Sequence, residues 1–130
     1  MDSETLKAYC LNKRGTSAGF PFGEGFLVMK VGSKVFAIID LTSEVLRINL
    51  KCDPHLAMEL RDRYEAVKEG YHMNKLHWNT VHMAMAMPFG IDGNVPEDEI
   101  LSMIDHSYEL VFKGLKKSEK DAILKQGKNR

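Results

Sequence analysis

The residues with the most chemical capacity lie in one run, GYHMNKLHWN, at positions 70–79. It holds Tyr71, His72, Asn74, Lys75, His77, Asn79 and Trp78, the chain's only tryptophan. Imidazoles move protons near neutral pH, and a neighbouring ammonium stabilises developing negative charge. His72 or His77 as a general base with Lys75 as its electrostatic partner is therefore one reading. No nucleophile elbow, glycine-rich phosphate loop or carboxylate pair accompanies them, so no catalytic residue is assigned. A metal fits less well. His72, His77 and His82 are spaced five apart, which matches no helical ligand pair, and Cys52 or His106 could join them only through the fold. No metal or other cofactor is expected. A nucleic-acid reading draws on Arg47, Asn49 and Lys51, which alternate along one segment, and on Asn74, Lys75 and His77, because such side chains contact phosphates and base edges. A purely structural reading also stands, since Asn and His side chains satisfy the backbone of a buried loop.

The elements that position these residues are legible around them. A first helix starts at a Ser3 cap and runs to about Arg14, with Leu6 and Cys10 on one face and Gly15 as its stop. The loop GTSAGFPFGEG follows. Its glycines and Pro21 argue against regular structure, and Phe20 and Phe22 are expected to tuck inward. Residues 26–31 and 34–40 form β-rich runs joined by Gly32-Ser33, a two-residue hairpin connection. A third strand at 46–52 places Leu46, Ile48 and Leu50 on a packed face and Arg47, Asn49 and Lys51 on a wet one.

Asp53-Pro54 is a strong helix start, with Leu56, Leu60, Tyr64 and Val67 as the buried stripe to about Tyr64 or Ala66. A strand from Trp78 towards Met87 sets Trp78, Thr80 and His82 against Val81, Met83, Met85 and Met87. Pro96 then opens a long helix with acid in its first turn and Ile100, Ile104, Tyr108, Val111 and Leu115 on its buried stripe. Ser118 and Asp121 resemble a capping box for a short last helix, closed by Gly127. The class is α+β: an antiparallel sheet of about four to five strands, flanking helices on one face, order α-β-β-β-α-β-α. Residues 1–117 are expected to form one domain, with 118–130 a basic tail or short helix.

With 130 residues, 44% hydrophobic and 28% charged, the chain has the size and composition of one globular domain. Formal net charge is zero, which counts against a strong sequence-blind nucleic-acid binder. From Lys113 to Arg130, however, seven basic and two acidic residues give a tail of +5. No apolar stretch approaches the length that spans a bilayer, and MDSETLKAY lacks the apolar core of a secretion signal. The cytoplasm is the expected compartment and a monomer the expected state. Cys10 and Cys52 stand in no C-x-x-C spacing and read as small buried hydrophobes.

The segments INLKCDP (48–54), GYHMNKLHWNTV (70–81) and DHSYELV (105–111) resemble signature segments of the MmcQ/YjbR family of small bacterial proteins. The hairpin FLVMKVGSKVFAII and the FPFG at 20–23 agree. The resemblance runs from the first helix to about Lys117. It implies a fold similar to bacterial frataxin (CyaY-like) and DNA binding through a double-wing arrangement of sheet and loops. No enzymatic activity follows from it. The matching motif positions are Asn49, Lys51, Tyr71, His72, Asn74, Lys75, His77, Trp78 and Asn79.

Two departures stand out: Glu69 replaces the family's usual proline before Gly-Tyr-His, and MAMAMPFGIDGNVP is longer than the usual turn. Iron binding does not carry over, because the first helix offers only Asp2 and Glu4. Three functions thus compete. A DNA-binding module would use Arg47, Asn49, Lys51, Lys75, His77 and the basic tail. A small-ligand or enzymatic site would centre on His72, Asn74, Lys75 and His77. A protein-interaction domain would use the sheet face or the methionines of 83–87. In each case the 70–79 run is expected to meet the strand edge at Asn49 and Lys51.

Overall fold

The computed structural model describes residues 2–42, 45–71, 73–83 and 95–126. Helix α1 (Ser3–Leu11) is capped one residue earlier than expected, by the Asp2 carboxylate accepting from the Thr5 N–H at 2.8 Å. Asp is as good a cap as Ser, and its charge also suits the helix dipole. The helix ends before Arg14, and the chain turns into strand β1 (Thr16–Gly19), which the glycines and Pro21 had argued against. β1 exists because β2 (Phe26–Val31) offers it a partner: Thr16 through Gly19 pair with Val31 through Val28. Tertiary pairing here overrides local propensity. Phe20 and Phe22 do not tuck inward; they are 49% and 68% exposed.

β2 and β3 (Lys34–Asp40) form the expected hairpin, with Gly32 at φ +57°, as the primed two-residue turns require. A bulge leaves Phe36 unpaired opposite the Met29–Lys30 step and sends its ring into the core. β4 (Leu46–Lys51) follows, then α2 (Pro54–Arg63), where the Asp53 carboxylate caps the N–H groups of His55 and Leu56. Val67, placed on the α2 stripe by its spacing, instead opens a short strand, β5 (Val67–Glu69). β6 (Trp78–Met83), α3 (Glu97–Lys113) and α4 (Lys117–Gln126) complete the order. Residues 84–94, which include Met85 and Met87, and Gly127 lie outside the described residues.

The sheet has six strands in the order β1-β2-β3-β4-β6-β5, every pair antiparallel. One face carries the core: Met29, Phe36, Ile39, Ile48 and Val81 pack with Leu6 and Cys10 of α1, Leu60 of α2 and Ile104 of α3. No described helix is long and apolar enough to cross a membrane.

The other face is not the wet surface that alternation alone suggests. Val28, Ile38, Asp40, Asn49 and Thr80 are all buried there. The polar members pair among themselves, which makes their burial tolerable. Thr80 Oγ1 donates to Asn49 Oδ1 across the β4–β6 ladder, and Asp40 accepts from Thr42 and from Arg47. Burial pushes the Asp40 carboxyl up, but the two Thr42 hydrogen bonds and the Arg47 guanidinium outweigh it and hold it below the ordinary carboxylate value.

Candidate functional site

The 70–79 run links β5 to β6 and meets β4 as its position suggested: Asn49, Leu50 and Lys51 pair with Thr80, Asn79 and Trp78. Gly70 is required by packing, since a Cβ there would lie 2.7 Å from Trp78 Cβ and 3.0 Å from the Trp78 carbonyl oxygen. Much of the run's polarity is spent on its own shape. Asn74 Oδ1 accepts from the N–H groups of Leu76 and His77, at 2.9 and 3.3 Å, which closes a tight turn. The His77 carbonyl accepts from Cys52 N–H at 2.8 Å. Lys75 Nζ reaches the Gly70 carbonyl at 3.4 Å.

Arg61 of α2 clamps the whole turn. Its Nε donates to Asn79 Oδ1 at 2.7 Å, and its Nη2 donates to the carbonyls of Lys75 and Trp78. Asn79 Nδ2 donates back to the Ala57 carbonyl at 3.3 Å. Arg61 sits one turn after Ala57, so the helical stripe could have identified it. The alternation of β6 directs Asn79 to the helix side of the sheet and Trp78 and Thr80 to the other.

On that other face Tyr71 N–H donates to Thr80 Oγ1 at 2.8 Å, and the Tyr71 ring lies 4.9 Å from the Arg47 guanidinium carbon. Arg47 is the hub of the face. It pairs with buried Asp40, while its Nε is buried without a hydrogen-bond partner among the described residues. The tyrosine ring face is what the guanidinium has there instead. Lys51 lies opposite Trp78 in register, and Lys68 opposite Thr80. Neither lysine has an ion pair among the described residues. Lys68 was not among the expected residues, because a three-residue strand carries too little pattern to be read. This side of the sheet therefore gathers Arg47, Lys51 and Lys68 beside Tyr71 and Trp78, with one acid among the described residues, Asp40, paired with Arg47. Asn49 belongs to the same face but is buried, and serves it by holding Thr80.

His72 lies outside the described residues. His82 hydrogen-bonds the Ala66 carbonyl through Nδ1 at 3.3 Å and its N–H meets the same carbonyl at 2.8 Å. Among the described residues no three His, Cys, Asp or Glu gather closely enough to hold a metal ion.

The DHSYELV segment of α3 is a clasp rather than a reactive centre. Asp105 accepts from Tyr9 Oη at 2.7 Å and pairs with Lys13 at 2.5 Å. His106 Nε2 accepts from Asp53 N–H at 3.2 Å. Ser107 Oγ donates to the Phe36 carbonyl at 2.5 Å and accepts from Lys51 N–H at 2.9 Å, and Tyr108 Oη donates to the Arg14 carbonyl at 2.7 Å. Four consecutive side chains thus fasten α3 to three separate segments, at residues 9–14, at Phe36 and at residues 51–53. Burial, with the Asp105 hydrogen bond, pushes the Tyr9 phenol up to about 12. Burial likewise lifts the free Cys10 and Cys52 thiols to about 12 and about 11, so neither is a nucleophile at neutral pH.

A pocket of about 160 Å³ opens on the helix side, between α2, α3 and the ends of β4 and β6. Leu50, Leu60, Val81 and Met103 line it, with Asn79, Glu99 and His106 among its polar residues. Asn74, Lys75 and His77 do not line it. Lys51 forms part of its wall, and strand alternation directs the Lys51 side chain to the opposite face.

Comparison with known proteins places this geometry. The Escherichia coli O157:H7 protein YbdF, uncharacterised, is 32% identical over 120 residues, covering 92% of each chain. YjbR of E. coli K12, also uncharacterised, is 29% identical over 109 residues, 84% of this chain and 86% of its own. The crystal structure of Deinococcus radiodurans DR2400, which carries the DUF419 domain, superposes with a TM-score of 0.79 at 34% identity, covering 92% of this chain and 86% of that one. A Pseudomonas syringae protein superposes with a TM-score of 0.66 at 27% identity, over 85% of this chain and 98% of that one. The YjbR family model matches residues 11–110, the stretch that contains the hairpin, the 70–79 turn and most of the α3 clasp, and the chain is a member of the YjbR family.

Proposed function

We propose that the chain is a DNA-binding module whose contact surface is the face of the sheet at β4, β6 and β5, together with the 70–78 turn. The observation that carries this reading is the gathering of Arg47, Lys51 and Lys68 with exposed Tyr71 and half-buried Trp78. Cations there meet phosphates, and aromatic rings accept unpaired bases by stacking. Exposed Asn74 and Lys75 extend the surface along the turn. A second basic strip supports the same reading: Lys116, just before α4, and Lys117 and Lys125 of α4 are exposed, and α4 is held beside the β2–β3 hairpin by Glu119, which accepts from Ser33 N–H at 2.8 Å. Zero net charge makes this a weak binder, in the ~10⁻⁴–10⁻⁶ M range of non-specific association.

Fluorescence anisotropy with single- and double-stranded oligonucleotides over a salt series tests the proposal. Three phosphate contacts give a log–log salt slope of about −2 for single strands and about −3 for duplex. Replacing Lys51, Lys68 and Lys75 together with alanine removes most of that slope. Absence of binding at low salt, or a slope unchanged in the triple variant, refutes the assignment to this face. The histidine-centred ligand site has less support, because Asn74 and the backbone of His77 are committed to the turn and neither residue lines the pocket.

A further inference from the structure

The pocket on the helix side is independent of the nucleic-acid face, and its lining has a definite character. Its floor is apolar, from Leu50, Leu60, Val81 and Met103. Asn79 is no free recognition group, because Arg61 and the Ala57 carbonyl already engage it. His106 Nε2 accepts the Asp53 N–H, so that nitrogen is already spent. Glu99 remains. Its carboxylate lines the pocket while 37% exposed, and its only ion pair among the described residues is a loose one, 4.0 Å from Arg63 Nη1. Strand alternation turns the Lys51 ammonium to the other face of the sheet, which leaves Glu99 as the acidic side chain lining this pocket among the described residues. Two more acids, Glu97 and Asp98, share the first turn of α3 with Glu99, although neither lines the pocket.

We infer that this pocket binds a small organic cation, an alkyl or aryl amine. Its apolar body rests on the floor and its ammonium meets Glu99 at the rim. The volume sets the size: a cavity of about 150 Å³ is enough for a benzene-sized molecule. The chemistry follows from the lining, since an apolar floor with one acid at its edge favours an amphiphile whose charge is positive and disfavours a carboxylate of the same shape.

The experiment uses the full chain labelled with ¹⁵N, titrated with benzylamine, with benzyl alcohol as the neutral isostere and benzoate as the anionic one. Benzylamine is expected to give saturable amide shifts in α2, α3 and the end of β4. Benzyl alcohol binds about tenfold more weakly and benzoate more weakly still. Glu99→Gln, at a partly exposed helix position, keeps the fold and brings benzylamine down to the level of the alcohol. Arg63→Ala releases Glu99 from its competitor and tightens benzylamine by about two- to threefold, an effect that a merely structural role for either residue does not produce. The inference is overturned by benzoate binding as well as the amine, by Glu99→Gln leaving the amine affinity unchanged, or by no probe shifting the pocket amides.

Discussion

Replacing Arg61 with methionine isolates the clamp on the 70–79 turn, because the methionine keeps most of the side-chain volume and removes every donor. Of the three acceptors that Arg61 serves, the Lys75 carbonyl belongs to an exposed residue and can turn to water, and the Trp78 carbonyl at 3.5 Å is a weak contact. Asn79 Oδ1 is different: it accepts from Arg61 at 2.7 Å and belongs to a residue only 3% exposed. Losing a charged donor and leaving that oxygen unsatisfied costs about 2–4 kcal/mol. For a chain of this length that is a melting-temperature drop of roughly 10 °C. Urea unfolding followed by the fluorescence of Trp78, which sits in the affected strand, reads the change directly. A double-mutant cycle with Asn79→Ala is expected to return a coupling of about 1–2 kcal/mol. A loss below about 0.5 kcal/mol in Arg61→Met, or no coupling in the cycle, refutes the view that α2 holds this turn in place.

Asp40→Asn is expected to cost about 2–4 kcal/mol at pH 7 by leaving Arg47 without its anion. The Asp40 carboxyl titrates lower in the folded chain than its ordinary 3.8, so its stabilisation is complete above that value and fades as pH falls through the folded one. The gap in urea midpoint between the two proteins should therefore hold from pH 7 down to 3.8 and begin to narrow below it; a gap that changes above that value or never narrows in acid argues against the pair. Ser107→Ala removes the hydroxyl of a fully buried residue, strands the Phe36 carbonyl and deprives the part-buried Lys51 N–H of its acceptor, at a cost of about 1–3 kcal/mol by chemical denaturation, and a near-neutral result removes the clasp from the account. Ellman's reagent at pH 8 should find no reactive thiol in the native protein and two after unfolding; rapid native labelling would contradict the burial of Cys10 and Cys52.

The parts of the fold carried by long periodic runs were legible in the sequence. The β2–β3 hairpin, β4, the start of α2 and the buried stripe of α3 all announce themselves within one segment, through alternation, helical spacing, a turn dipeptide or a cap. The parts that depend on a partner distant in sequence were not. Thr16–Gly19 is a strand because Phe26–Val31 lies beside it, and Val67–Glu69 because β6 does. The same limit applied to the site. Alternation correctly set Arg47, Asn49 and Lys51 on one face, but it could not tell that Asn49 would meet Thr80 and be buried, or that Asp40 would claim Arg47. Nor could it show that DHSYELV is a set of fastenings, since each of its contacts closes a loop of more than fifty residues.

Ser107 has a further consequence, for the order in which the chain assembles. Phe36 and Lys51 would form the next rung of the β3–β4 ladder after Ala37 and Leu50, and the Ser107 hydroxyl stands between them as an inserted link. The sheet therefore does not complete its own hydrogen bonding; a side chain 71 residues beyond Phe36 supplies the missing member. During synthesis both strands emerge well before that serine. They wait with two main-chain groups unpaired until α3 has been made and docked. Non-local closures of this kind slow folding and prolong the exposure of unfinished sheet. A nascent chain stopped short of residue 107 is the form of this protein most exposed to aggregation.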